Sequence, residues 1–196
     1  MSKKIITISG YSCAGKSTLV DRISRLHDCD IMKFGLIHKE CVDKSKYLYA
    51  KDWIREEGFA SYENQLLVCF KNRLLSMMDN NRYVLIDGIF SNKCFSIIRG
   101  TKGIELINIV LKADYNTRIQ RMIERQKMTY EEAVAHMNIT DNIKQQAGLK
   151  YILEDYDYLL DANKSKDEIN EKCSLIIQGI KYRENNIIMP KTLIER

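Results

Sequence analysis

Eight residues near the start of the chain, Gly10-Tyr11-Ser12-Cys13-Ala14-Gly15-Lys16-Ser17, meet the spacing G-x-x-x-x-G-K-S in full. They follow the β-branched run Lys4-Ile5-Ile6-Thr7-Ile8-Ser9 and precede Leu19, Val20, Ile23 and Leu26 at helical spacing. The octet therefore reads as a loop joining a strand to a helix, the context in which the pattern carries chemistry. Glycines at 10 and 15 let the backbone turn and approach a ligand more closely than a Cβ permits. Successive N–H groups then point into one concavity, and the positive end of the following helix adds attraction for an anion. A glycine-rich turn alone explains neither the lysine nor the hydroxyl after it. The loop is expected to bind a nucleoside triphosphate through Gly10, Ser12, Cys13, Ala14, Gly15, Lys16, Ser17 and Thr18, with Lys16 on the β- and γ-oxygens and the Ser17 hydroxyl on Mg²⁺. Cys13 sits where a thiol can be activated by a helix N-terminus, but a small residue that fits the loop is the simpler reading.

The rest of the chain alternates strand and helix. Ile31 to Phe34 is a short second strand, and a charged, aromatic, largely helical region runs from Leu36 to Asp79 with Leu66, Leu67, Phe70, Leu74, Leu75 and Met78 on its buried face. Arg82 to Ile86 is a short apolar run closed by Asp87-Gly88, as expected of a central parallel strand, and Ile104 to Leu111 repeats the pattern. Helices are expected over Asn116 to Gln126, from Thr129 onward with Glu131 and Glu132 in the first turn, and over Lys166 to Lys181, after a last strand at Tyr156 to Leu160. This order implies an α/β fold, three-layer α/β/α, with a parallel sheet and helices on both faces.

A chain of 196 residues, with 45% hydrophobic and 29% charged residues, suits one folded domain. Residues 1–182 form it, and residues 183–196 are a tail. The six cysteines are scattered without metal-ligand or redox-pair spacing and read as free thiols in a reducing compartment. The N-terminus is too short in apolar residues for a signal peptide and no run approaches a membrane span, so a cytoplasmic protein without membrane association is expected. The net charge of +5 is spread among acidic residues, which disfavours nucleic acid as partner and leaves anionic small molecules. No oligomer is predicted.

Two groups extend the loop toward chemistry. Asp87 falls at the carboxyl end of a central strand, where open α/β sheets bind ligands. It could hold Mg²⁺ together with Ser17, contact an acceptor, or take the proton of an acceptor hydroxyl. Arg121 and Arg125 lie one helical turn apart and could neutralise charge on a transferring phosphoryl group, whereas Arg118 reads as a surface residue pairing with Glu124. Lys16, Asp87, Arg121 and Arg125 are the catalytic candidates. Residues 36–73 offer Lys39, Arg55, Lys71 and Arg73 for an acceptor phosphate and Tyr47, Tyr49, Trp53 and Phe59 for stacking, with Arg55 favoured. His27 and His38 show no metal spacing and read as structural or surface residues.

With these pieces assembled, the chain resembles the nucleoside-monophosphate-kinase-like group of P-loop kinases, and within it is similar to dephospho-coenzyme A kinases. The loop is shared by the superfamily. Arg121 to Ala133 resembles the two-arginine lid helix and the segment after it, and Asp161-Ala162-Asn163-Lys164 resembles the last strand and its asparagine-containing turn. The resemblance implies a P-loop NTPase fold with an acceptor-binding helical insertion at about 36–80 and a lid at about 116–150. It also implies ATP as donor, Asn163 beside the adenine, and a small-molecule acceptor, nucleotide or nucleotide-like. His136 stands where a third lid arginine is expected. Gly88-Ile89-Phe90-Ser91 matches neither the proline-leucine segment of dephospho-coenzyme A kinases nor the glycine-x-proline-arginine of adenylate kinases.

Other readings share the loop. Leu111-Lys112-Ala113-Asp114 faintly resembles a guanine-reading motif, but Phe90 occupies the position of a switch glycine after Asp87. An ATPase or regulatory nucleotide-binding protein could use Asp87 as its magnesium carboxylate, and a kinase could act on a small hydroxylated metabolite.

Overall fold

The computed structural model describes residues 3–26, 29–78 and 83–184. His27, Asp79, Arg82 and the expected tail beyond Glu184 lie outside the described residues. Five parallel strands form one sheet in the order β2-β3-β1-β4-β5. Their spans are β1 Lys3–Ser9, β2 Asp30–Lys33, β3 Tyr83–Ile89, β4 Ile104–Lys112 and β5 Tyr158–Asp161. The central strand β1 pairs with β3 on one side and β4 on the other. The chain leaves it toward β2 and β3 first and later crosses to β4 and β5, so the order reverses at the carboxyl end of β1. That switch point is where the octet at 10–17 emerges.

Side-chain alternation along the strands divides the core between the two faces. Ile5, Val84 and Ile86 pack on one face under α2 (Phe34–Asp43), α3 (Ala50–Glu57), α4 (Phe59–Met78), α5 (Asn92–Gly100) and α8 (Leu149–Glu154). Ile6, Ile8, Leu85, Ile107 and Ile109 face the other way, against α1 (Lys16–Leu26) and α9 (Lys166–Glu184). Each such buried aliphatic side chain contributes about 1.5–3 kcal/mol relative to exposure. Two further helices, α6 (Tyr115–Gln126) and α7 (Tyr130–Gln146), share a small core of Ile119, Met122, Ala133 and Met137. Thr129 caps α7 in a reciprocal capping box with Glu132.

One polar cluster penetrates the sheet. Asn108 Oδ1 accepts from Thr7 Oγ1 at 2.9 Å and from Ser9 Oγ at 3.0 Å, while its Nδ2 donates to the carbonyls of Ile152 at 2.9 Å and Asp155 at 2.6 Å. All polar atoms of the amide side chain are thereby matched, which a buried asparagine requires.

The expected α/β/α architecture is present, with local differences. The helical region after β2 is three helices, interrupted at residues 44–49 and at Gly58, whose φ is +84°. Leu75 is 65% exposed rather than core, because α4 turns only one stripe to the sheet. Strand β3 continues through Asp87 and Gly88 to Ile89, so Asp87 lies within the strand and not beyond its end. Helices α5 and α8 were not expected from periodicity. Both are short, six to nine residues, and one or two turns give the pattern little to repeat.

Candidate active site

The loop between β1 and α1 departs from ordinary backbone geometry where its sequence allows. Gly10 has φ +150°, and a Cβ there would stand 2.6 Å from the Leu111 carbonyl oxygen. Gly15 has φ +96°, and Cys13 takes the left-handed region at +61° without being glycine. Ala14 is fully buried and belongs to the core under α1, so its side chain anchors the loop. Lys16 Nζ donates to the Tyr11 carbonyl at 2.7 Å. Burial lowers its ammonium to about 8, against the pull of Asp87.

Ser17 Oγ donates to Asp87 Oδ2 at 3.4 Å, across 70 positions of sequence. Burial raises the Asp87 carboxyl above its ordinary value, and Lys16 and Ser17 oppose the rise. The two oxygens are hard donors of the kind Mg²⁺ takes when nucleotide phosphates and water supply the remaining ligands, so they fit that ion. Among the described residues no group of three or more His, Cys, Asp or Glu side chains is arranged to hold a metal by itself.

The helix pair α6–α7 closes over the loop. Arg121 donates to the Ala162 carbonyl at 2.7 Å and to the Cys13 carbonyl at 3.3 Å, tying α6 to both the loop and the turn after β5. Arg118, expected on the surface beside Glu124, is 5% exposed and paired with Asp141 of α7 at 2.8 Å. Its guanidinium lies 4.8 Å from the Tyr11 ring centroid and 5.4 Å from that of Tyr115. A periodic reading cannot see this, because the partner is 23 residues away. Asn163 joins its turn to the start of α6: its Oδ1 accepts from the Asp114 backbone N–H at 2.8 Å, and its Nδ2 donates to Asp161 Oδ1 at 2.9 Å.

Two cavities meet at the loop. One, of about 370 Å³, is lined by Ser12, Cys13, Gly15, Lys16, Ser17 and Thr18 together with Arg121, Arg125 and His136. The other, of about 400 Å³, is lined by Ser12, Lys16 and Ser17 and by Lys33, Leu36, His38, Asp87, Gly88, Phe90, Ile143 and Lys144. The candidates Lys16, Ser17, Asp87, Arg121 and Arg125 are thus brought together.

Arg55 is not. It is exposed on α3 and pairs with Asp52 at 3.2 Å and Glu56 at 3.8 Å. The aromatics proposed for stacking behave similarly: Tyr47 stacks on Trp53 at 5.8 Å, and Phe59 and Trp53 pack on Tyr62. They build the helical layer and do not line the cavity.

Three residues of the second cavity were not expected there: Lys33 and Lys144 were not singled out, and His38 was expected to be structural or on the surface. Lys144 Nζ donates to Ser12 Oγ at 2.7 Å, and burial pushes its ammonium down to about 7. His38 Nδ1 is 2.6 Å from the Tyr62 hydroxyl, and burial together with Lys144 lowers its pKa. Lys33 stands beside Asp87 in the β2–β3 register, the one signal available being its place at the carboxyl end of a strand.

Loop, strand-borne aspartate and arginine-bearing helix pair stand on a parallel sheet with the layout of the P-loop fold. The sequence profile of the AAA domain family matches residues 6–147, and the chain belongs to that family. No curated protein matches it in sequence. Solved structures similar in fold include TT1252 from Thermus thermophilus, at 15% identity over 91% of this chain and 98% of that one with a TM-score of 0.63. The shikimate kinase of Bacteroides thetaiotaomicron is similar at 13% identity, 92% and 99% coverage and a TM-score of 0.59. That of Acinetobacter baumannii, solved in complex with shikimate, is similar at 17%, 90% and 94%, and 0.52. At these identities the likeness is one of fold. No helix among the described residues is long and apolar enough to cross a membrane.

Proposed function

We propose that the chain is an ATP- and Mg²⁺-dependent phosphotransferase that moves the γ-phosphoryl group to the hydroxyl or phosphate of a small anionic acceptor. The observation that carries this is the pair of cavities sharing Ser12, Lys16 and Ser17. A nucleotide hydrolase needs only the first. The second has the size of a small metabolite and gathers Lys33, Lys144 and His38 around a single carboxylate, Asp87.

The loop N–H groups and Lys16 hold the donor phosphates, and Arg121 with Arg125 offset charge on the transferring group. Bound through Ser17 and Asp87, Mg²⁺ would neutralise β- and γ-oxygens. Attack of the acceptor oxygen on the γ-phosphorus forms one P–O bond as the bond to the β-bridging oxygen breaks. The proton of an acceptor hydroxyl passes to Asp87 or to water.

Nucleotide and nucleotide-like phosphorylated acceptors, dephospho-coenzyme A among them, satisfy the cationic cavity. So do compact hydroxy acids, and shikimate belongs in the panel because a fold neighbour was solved with it. The test is purified protein with ATP, Mg²⁺ and nucleoside monophosphates, dephospho-coenzyme A, shikimate and simple alcohols. A phosphorylated acceptor is expected. Release of free phosphate alone, unaffected by every acceptor, would instead make the protein an ATPase or a regulatory nucleotide-binding protein.

A further inference from the structure

We propose that Lys144 of α7 is a catalytic residue whose ammonium contacts the terminal phosphoryl group of the nucleotide at the seam between the two cavities. The word catalytic rests on the phosphotransferase reading above, whereas the contact itself rests only on triphosphate binding by the loop. Ser12, Lys16 and Ser17 line both cavities, so the space they enclose is where a γ-phosphate leaves the loop and faces Asp87. Lys144 Nζ is already there, 2.7 Å from Ser12 Oγ.

The position is built rather than incidental. Asp141 lies three residues earlier on the same face of α7, and its buried ion pair with Arg118 of α6 fixes the orientation of that face over the loop. Arg118 in turn covers the Tyr11 ring, next to Ser12. The charged and titratable groups around Lys144 are Lys16 from α1, Arg118 from α6, Asp141 from α7, Cys13 from the loop and His38 from α2. Lys16 and Arg118 act on it against Asp141, and Lys33 and Asp87 line the same cavity, so cations outnumber carboxylates there and a phosphoryl group would neutralise the surplus. Burial lowers the ammonium to about 7, and the charges of Lys16 and Arg118 add to the drop.

The experiment compares equilibrium binding of ADP and of a non-hydrolysable ATP analogue, each with Mg²⁺, to the full chain, Lys144→Met and Lys144→Arg. Removing a charge-assisted hydrogen bond should weaken the analogue by roughly tenfold or more. ADP should change by less than about twofold, and Lys144→Arg should restore most of the loss. ADP affinity also reports folding of each variant, and Lys144→Gln repeats the measurement should the methionine variant not bind ADP. Equal weakening of both ligands, or of neither, overturns the proposal. So does a Lys144→Met enzyme with unchanged kcat and a raised acceptor KM, which would place the lysine on the acceptor. If the ATP analogue alone is weakened but no acceptor is ever phosphorylated, the contact stands and the phosphotransferase reading fails.

Discussion

Arg118 and Asp141 form an ion pair of 2.8 Å in which both side chains are almost wholly withdrawn from water. The pair joins α6 to α7 and, through the Tyr11 ring, joins both to the phosphate loop. Arg118 Nε is buried without a hydrogen-bond partner, so the carboxylate carries most of the compensation for this charge. Asp141→Ala should therefore destabilise the protein by about 3–5 kcal/mol, since it leaves a buried guanidinium unpaired. Replacing both residues, Arg118→Met with Asp141→Leu, should cost less than the single change. Urea denaturation checks both values, and a double variant weaker than Asp141→Ala would contradict the assignment.

The two buried lysines predict opposite pH dependences for the free and the liganded protein. In the unfolded chain a lysine keeps its proton to about 10.5, whereas Lys144 in the fold releases it near 7 and Lys16 near 8. Between those values the unfolded state binds more protons, so this contribution to stability rises with pH. The stability of the parent relative to Lys144→Met should move in favour of the parent between pH 7 and 9. A triphosphate favours the ammonium form, so its binding should take up protons at pH 8 and weaken as pH rises. Calorimetry in buffers of different ionisation enthalpy reads the uptake directly; proton release would refute it.

Gly10→Ala should fail on geometry alone. Its Cβ would meet the Leu111 carbonyl oxygen at 2.6 Å, on a backbone with φ +150°. The rigid oxygen belongs to β4 and cannot retreat without disturbing the sheet. A loss of roughly 2–4 kcal/mol from strain and overpacking is expected, with loss of nucleotide binding. Thermal unfolding and nucleotide titration test it, and an unchanged midpoint would show the loop to be softer than its contacts imply.

Arg55→Ala should be silent. The side chain is 71% exposed, and its ion pairs with Asp52 and Glu56 are surface pairs. Such a change is usually within about 0.5 kcal/mol. Acceptor KM should be unchanged in the assay that identifies the acceptor; a rise of tenfold would return Arg55 to the site.

Much of the proposed nucleotide site was legible because its determinants are local. Residues 10–17 are consecutive, their proposed phosphate binding rests on backbone N–H groups and a helix end, and both are properties of the chain's own neighbourhood. The span of α1, Lys16–Leu26, and the start of α7 at Thr129 with Glu131 and Glu132 in its first turn were readable for the same reason. The site on Asp87 was also visible, through the apolar run before it, although the strand extends past it.

The charges packed around the loop were not legible, because they are far apart in sequence. Lys144 reads as one more polar residue on an amphipathic helix until α7 folds it onto Ser12, 132 positions away. Arg118 reads as surface until Asp141 buries it, and Arg55 reads as a binding group until α3 faces it to solvent. Hydrophobic period and glycine placement act over a few residues, so the parallel α/β sheet and the loop at its switch point could be read along the chain. Which cations meet that loop was set by packing, because burial and charge pairing depend on which helix faces come together.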